Sequence, residues 1–277
     1  MNLDFLMVIL FIYSMELNCK NILKNLFKIF SILFILVLLR PVHSLEAAYT
    51  NGYGTAINGV SSTVNLPTGD VYLCEAASAG GSMNIGFNTL VNNSNYAAVG
   101  YSNSNQCSLN NPLPSNYVIA GVSINNLTYY IYNTSSISVT GGTSATTYTW
   151  NITFNLNQSS TVYILIAVGG TNNGAYINTV TLPSGCSEVL QQNNGGSTPA
   201  STAYAAYCEN LSSGNYQVSV NIEINGASNN GNVVTMYGAS TIFEFPIFLF
   251  NISSSSSSVG LVPGGTVNDT LYIDEIT

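Results

Sequence analysis

All four Lys and Arg residues and the one His of this 277-residue chain lie in its first 44 positions; from Leu45 onward there is no basic side chain. That absence excludes whole classes of chemistry. Ser/His/Asp and Cys/His nucleophiles lack their base, Schiff-base catalysis lacks its amine, and Lys–Asn isopeptide cross-links cannot form. A nucleic acid or other phosphate polyanion finds no cations to replace its counterions, so nucleic acid is excluded as a partner. Beyond residue 45 no extended stretch has a helical period, and no Asp-Thr-Gly or Asp-Ser-Gly protease signature occurs. A carboxylate-only acid hydrolase survives these exclusions, but the acids are scattered and form no paired motif. The reading is therefore of a non-enzyme that needs no cofactor.

What titrates beyond the leader is ten carboxylates, among them Glu75, Glu188, Glu223 and Glu244, together with tyrosines and thiols. The exported part carries about −10 at neutral pH, and ordinary carboxyl pKa values of ~3.9 to ~4.3 remove that charge near pH 2 to 3. Acid unfolds proteins by protonating carboxylates that are paired in the native state. A chain with no cationic partners is spared that route, which suits a hot or acidic exterior. Drift toward Asn, Ser and Thr in a surface protein is the plainer alternative.

Lys20, Lys24 and Lys28 precede the apolar run Ile29 to Leu39, and Val42-His43-Ser44 follows it. The order of basic, apolar and small residues predicts a signal peptide over residues 1–44, with Met15 as an alternative start. Eleven residues between Lys28 and Arg40 are about half of what a spanning helix needs. No stable membrane span is expected after the leader is removed, and the mature chain is expected to be extracellular. An uncleaved anchor is the alternative.

Cys74, Cys107, Cys186 and Cys208 remain after the leader, an even number that in a secreted chain predicts two disulfides. Three pairings are possible; the local one, 74 with 107 and 186 with 208, is favoured because each closes a short loop. A metal site is the weaker reading, since there is neither Cys-x-x-Cys spacing nor histidine.

Strand patterning dominates the rest. Thr147 to Leu156 alternates Tyr148, Trp150, Ile152, Phe154 and Leu156 with Thr and Asn, and Tyr216 to Ile224 repeats the pattern. Further strands are expected at 71–75, 83–91, 96–101, 117–123, 127–132, 161–168, 176–182, 203–208, 232–237, 242–250 and 270–276. Asn-Gly at 58–59, 173–174, 225–226 and 230–231 predicts type I′ hairpins. Short strands with closely spaced turns predict an all-β fold, an antiparallel β-sandwich of immunoglobulin-like or pilin-like kind. The expected organisation is a tail over 45–66 and a sandwich over 67–277, with the Gly/Ser/Asn stretch 191–201 either a long loop or a divider of two subdomains. The apolar run Ile242 to Phe250 stands out. Pro246 within it cannot donate to a ladder, so the strand is expected at an edge or bulge, or else as a core strand. Asp269, Asp274 and Glu275 read as a solvated acidic tail rather than a calcium site.

Eight N-x-S/T sequons follow the leader, at Asn92, Asn126, Asn133, Asn151, Asn157, Asn210, Asn251 and Asn268. Composition alone would give about as many, but Asn151 falls on the polar face of its strand, where N-linked glycans would meet solvent.

A secretion leader, a lysine-free tail with Tyr49, Tyr53, Ile57, Val60 and Val64, paired cysteines, scattered sequons and an Asn/Ser/Thr-rich β domain together resemble the subunits of archaeal thread filaments. These are glycosylated, pilin-like surface proteins of thermoacidophiles. The resemblance implies a head-to-tail polymer of copies of this chain. In it the tail, through those five residues, adds a strand to a neighbour's open sheet, and the filament serves adhesion or cell–cell contact. The C-terminal strand is an alternative donor.

Overall fold

The computed structural model describes residues 49–57, 61–125, 130–142, 144–194, 199–226 and 233–246, and the backbone of two further strands, 249–254 and 271–276. The leader, Val60, Asn126, Asn268 and Asp269, and the side chains of Tyr49, Asn251, Asp274 and Glu275, lie outside the described residues. The strands, in chain order, are β1 (Tyr49–Ile57), β2 (Thr63–Asn65), β3 (Val71–Ala79), β4 (Asn84–Ile85), β5 (Asn88–Asn93), β6 (Ala97–Ser102), β7 (Gln106–Asn110), β8 (Asn116–Asn125) and β9 (Ile131–Thr140). They continue as β10 (Thr146–Leu156), β11 (Ser160–Gly170), β12 (Ala175–Thr181), β13 (Cys186–Asn193), β14 (Thr202–Leu211), β15 (Gly214–Ile224), β16 (Thr235–Pro246), β17 (Leu249–Ser254) and β18 (Leu271–Ile276). The fold is all-β, with no helix among the described residues.

Four β layers stack. The two inner layers are five-stranded antiparallel sheets, β1-β8-β3-β6-β5 and β13-β14-β11-β16-β9, joined by one parallel bridge between Ala79 and Gly170. Their facing side chains form the central core: Leu73, Ala77, Val118, Ala120 and Val122 meet Tyr163, Leu165, Ala167, Ala203, Ala205 and Phe243. The small β2-β7-β4 sheet covers the outer face of the first inner sheet through Val64, Leu66, Cys107 and Leu109. The β10-β15-β12 sheet covers the outer face of the second through Trp150, Ile152, Phe154, Val218, Val220 and Ile222.

This layering explains two kinds of sequence pattern. β10 has one face in a core and one in water, so its apolar residues alternate strictly. β11 is sandwiched on both faces and all eleven of its residues are buried, which is why Val162 to Val168 reads as a continuous apolar run rather than an alternation. Each fully buried Leu or Ile there contributes roughly 1.5–3 kcal/mol from area removed from water.

Several sequence expectations are revised. The strand containing Pro246 is interior, with β16 paired to β11 on one side and β9 on the other. Pro246 is tolerated because it is the last residue of β16, beyond the end of the β9 ladder at Glu244, so no donor is missed there. Asn-Gly at 173–174 does not make a hairpin, since β11 and β12 belong to different layers. Positive φ falls on Asn172 and Gly174, and a Cβ on Gly174 would strike the carbonyl of Ala200, so the glycine serves a close backbone approach. The expected strand 83–91 is broken into β4 and β5. Of the stretch 191–201, Gln191 to Asn193 complete β13, and Asn194 clamps the β13–β14 connection, its Oδ1 accepting from the backbone N–H of Ala200 and Ser201 at 2.7 and 3.0 Å.

Both disulfides form in the local pairing. Cys74–Cys107 ties β3 to the outer β7, and Cys186–Cys208 joins opposed residues of β13 and β14.

Candidate functional site

The site singled out by the sequence is the segment 45–66, and from Tyr49 to Ile57 it is an edge strand. β1 pairs antiparallel with β8 of its own chain from Tyr49↔Asn125 to Ile57↔Val118, with a bulge between Thr50 and Gly52. Neither strand contains Asp, Glu, Lys, Arg or His. The joint therefore rests on main-chain hydrogen bonds and uncharged packing.

The glycines of β1, which weaken its sequence pattern, have a packing reason. Gly54 stands opposite Gly121, and together they leave a channel across which the segment 64–67 lies. A Cβ on Gly54 would come within 2.6 Å of Val64 Cγ1, one on Gly52 within 2.6 Å of Pro67 Cγ, and one on Gly121 within 2.9 Å of Leu66 Cδ1. Among the donor-strand residues, Tyr53 is 59 % exposed, Ile57 packs on the central core, and Val64 is buried in β2 against the outer core. Val64 thus holds β1 from outside rather than extending it. Three polar contacts pin β1. The Thr50 and Tyr163 hydroxyls are 2.8 Å apart, Ser123 Oγ donates to the Gly52 carbonyl at 3.3 Å, and Thr55 Oγ1 donates to Gln192 Oε1 of β13 at 3.4 Å. Tyr163 is a buried ring reaching from β11 to β1, within an aromatic group that includes Tyr207 and Phe245 at 5.0 and 5.6 Å.

At the opposite edges, Asn93 Nδ2 donates to the carbonyls of Ile137 and Gly238 at 2.7 and 3.0 Å, tying the end of β5 to β9 and β16. Without cationic donors, amide side chains do this work repeatedly. Asn225 donates to the carbonyls of Asn173 and Pro199, and Asn172 to that of Val233. Such neutral bonds do not titrate in acid.

The electrostatics follow from the missing cations: every resolved pKa shift is upward, and burial is the first cause of each. The largest effect on a carboxyl is at Glu75, a residue the sequence reading did not single out. It sits on β3 facing the second inner sheet, fully buried, with Oε2 accepting from the backbone N–H of Ile166 at 3.1 Å and a further bond to the backbone of Tyr204. Those two residues oppose one another on β11 and β14. Burial drives the carboxyl well above its usual range despite the two donors, and Oε1 has no partner. The signal was one acid inside the run Leu73-Cys74-Glu75-Ala76-Ala77. Glu244, half-buried beside the apolar end of β16, is raised for the same reason.

The described sequon asparagines Asn92, Asn133, Asn151, Asn157 and Asn210 are all exposed. Asn151 Oδ1 accepts from Ser219 Oγ at 2.8 Å on the outer face of β10 and β15. Among the described residues no three or more His, Cys, Asp or Glu side chains gather as metal ligands, and no helix is long and apolar enough to cross a membrane.

No protein-family model and no curated protein matches the chain. A solved structure described as that of infectious bursal disease virus, Gt strain, aligns over 74 % of this chain and 67 % of its own at 12 % identity, with a TM-score of 0.13, a likeness too slight to carry an argument.

Proposed function

We propose that this chain is a structural subunit of an extracellular, glycosylated surface filament, built by passing β1 from each subunit to β8 of the next. The observation that carries the proposal is β1 itself, an uncharged strand ahead of the rest of the sheet whose only ladder among the described residues runs to β8. The position it fills within its own chain is the one a neighbour's β1 would fill. Exchange therefore conserves the hydrogen bonds and the packing under Val64 and Leu66, and its balance turns on linkage and concentration. Because donor and acceptor surfaces differ, the contact is head to tail and propagates as a polymer. With no carboxyl, amine or imidazole side chain in either strand, the joint is suited to an acidic exterior, and exposed sequons would carry glycans outward. Two disulfides fit an oxidising compartment.

The observed pairing of β1 within its own chain also favours a second reading, a non-filamentous envelope glycoprotein in which the strand never leaves. Negative-stain microscopy of secreted material, with and without residues 45–57, separates the two. The filament reading expects polymers that disappear on deletion; globular particles in both samples would overturn it.

A further inference from the structure

The edges of the four layers are defended unequally. An open edge presents unpaired N–H and C=O groups to any passing strand, and proteins blunt it by shortness, by a bulge or by charge. β2 and β4, the edges of the small outer sheet, are three and two residues long. β1, β5, β12 and β13 each carry a bulge, and β13 adds the charge of Glu188. β9 and β10 have none of these devices. They are the longest edges, at ten and eleven residues, and their ladders to β16 and β15 run without a register shift. Neither contains Pro, Gly or a charged side chain, and Ile131 and Tyr132 at the start of β9 are each 49 % exposed. Among the described residues no strand pairs with the outer side of either.

What these two edges do carry is a sequon asparagine, Asn133 in β9 and Asn151 in β10, both exposed. Of the bulged edges only β5 has one, Asn92, whose Nδ2 is tied to Asn95 Oδ1 at 2.6 Å in the turn that follows. Asn151 Oδ1 is held by Ser219 Oγ on the β15 side, so its Nδ2, the atom that takes a sugar, lies on the side away from β15.

We propose that N-glycans at Asn133 and Asn151 guard β9 and β10, and that without them these edges pair with a second copy of this chain. A strand added to an edge sits ~4.8 Å from it, within reach of the first sugar of a glycan on that edge, so an occupied sequon excludes the incoming strand. A second copy is the partner because copies carry about −10 each and repel elsewhere, whereas antiparallel pairing of β9 with β9, or β10 with β10, opposes only uncharged side chains. Attachment joins the amide nitrogen to the anomeric carbon of a lipid-phosphate-linked oligosaccharide. It breaks that carbon's bond to the phosphate oxygen and passes one amide proton to the departing phosphate. The inference rests on the glycosylation in the function proposed above and not on where β1 pairs.

The test compares the full mature chain, secreted with its disulfides by its source cells, with Asn133→Gln/Asn151→Gln. Peptide mass spectrometry is expected to find both asparagines glycosylated in the wild type. The double variant is expected to at least double in mass by light scattering, with alternate amides of β9 or β10 exchanging tenfold or more slowly while those of β1 are unchanged. Ser135→Ala/Thr153→Ala, which removes the same sequons and leaves both asparagines, is expected to behave alike and so guards against a folding defect of one variant. Adding Ser136→Glu/Thr149→Glu, both exposed, is expected to reverse the association at pH 7 by like-charge repulsion. Unoccupied sequons in the wild type overturn the proposal together with the glycosylation on which it rests. Occupied sequons whose removal by both routes leaves mass and β9 and β10 exchange unchanged overturn the guarding role alone.

Discussion

Replacing Glu75 by Gln tests how a cation-free fold responds to pH. In the folded chain burial holds the Glu75 carboxyl protonated well above its ordinary range, whereas in the unfolded chain it ionises near ~4.3. Between those two values the native state binds one proton more than the unfolded state, so stability falls as pH rises, by up to about 1.4 kcal/mol per pH unit. Below ~4.3 both states are protonated and the full contribution is present. For a domain of this size, about 2–4 °C of Tm per kcal/mol makes the slope roughly 3–6 °C per pH unit. Glutamine keeps a carbonyl to accept from Ile166 but cannot ionise. The variant should match the wild type at pH 3 and exceed it increasingly from pH 5 to 7, read by denaturant unfolding at ~0.5 M salt, where repulsion among surface carboxylates is screened. A wild-type protein that gains stability between pH 4 and 7, or a difference between the two proteins that does not vary with pH, would refute the reasoning.

Three further outcomes are expected. Cys→Ser pairs removing Cys74–Cys107 or Cys186–Cys208, which close separations of 33 and 22 residues, should each lower stability by about 3–4 kcal/mol in the chain-entropy model, measured by chemical denaturation. Tyr163→Phe removes the hydroxyl contact to Thr50 and should cost about 0.5–1.5 kcal/mol, with hydrogen-exchange protection falling in β1 before it falls in β11. Leu165→Ala, in the central core, should cost about 2–5 kcal/mol without changing oligomeric state, a combination checked by unfolding and light scattering.

Legibility in the sequence followed burial geometry. β10 and β15 were readable because one face is wet and one dry, so Trp150, Ile152 and Phe154 alternate with Thr and Asn. Most of β9 and all of β13 were missed because they are edge strands, with Asn133, Ser135, Glu188 and Gln192 interrupting any period. The stacking of four layers was not visible, because the inner sheets meet through alanines such as Ala77, Ala167 and Ala205, whose small side chains give a weak pattern. At β1 the candidate segment was found, but the packing role of its glycines was not. Gly52 and Gly54 look like loss of strand character, yet they make room for Pro67 and Val64, a contact no local pattern encodes. Glu75 was passed over for the opposite reason, since one acid in an apolar strand looks incidental until its two backbone donors on β11 and β14 are seen.

The most direct measurement is of where β1 pairs in assembled material. Thr55 and Ala120 are opposed across the β1–β8 ladder, so a Thr55→Cys/Ala120→Cys variant reports the pairing by the mass of its cross-linked product on a non-reducing gel. Filament assembly by strand exchange predicts a ladder of covalent multimers from secreted polymer, collapsing to monomer on reduction. Cross-linked monomer alone, from material that microscopy shows to be filamentous, would contradict it.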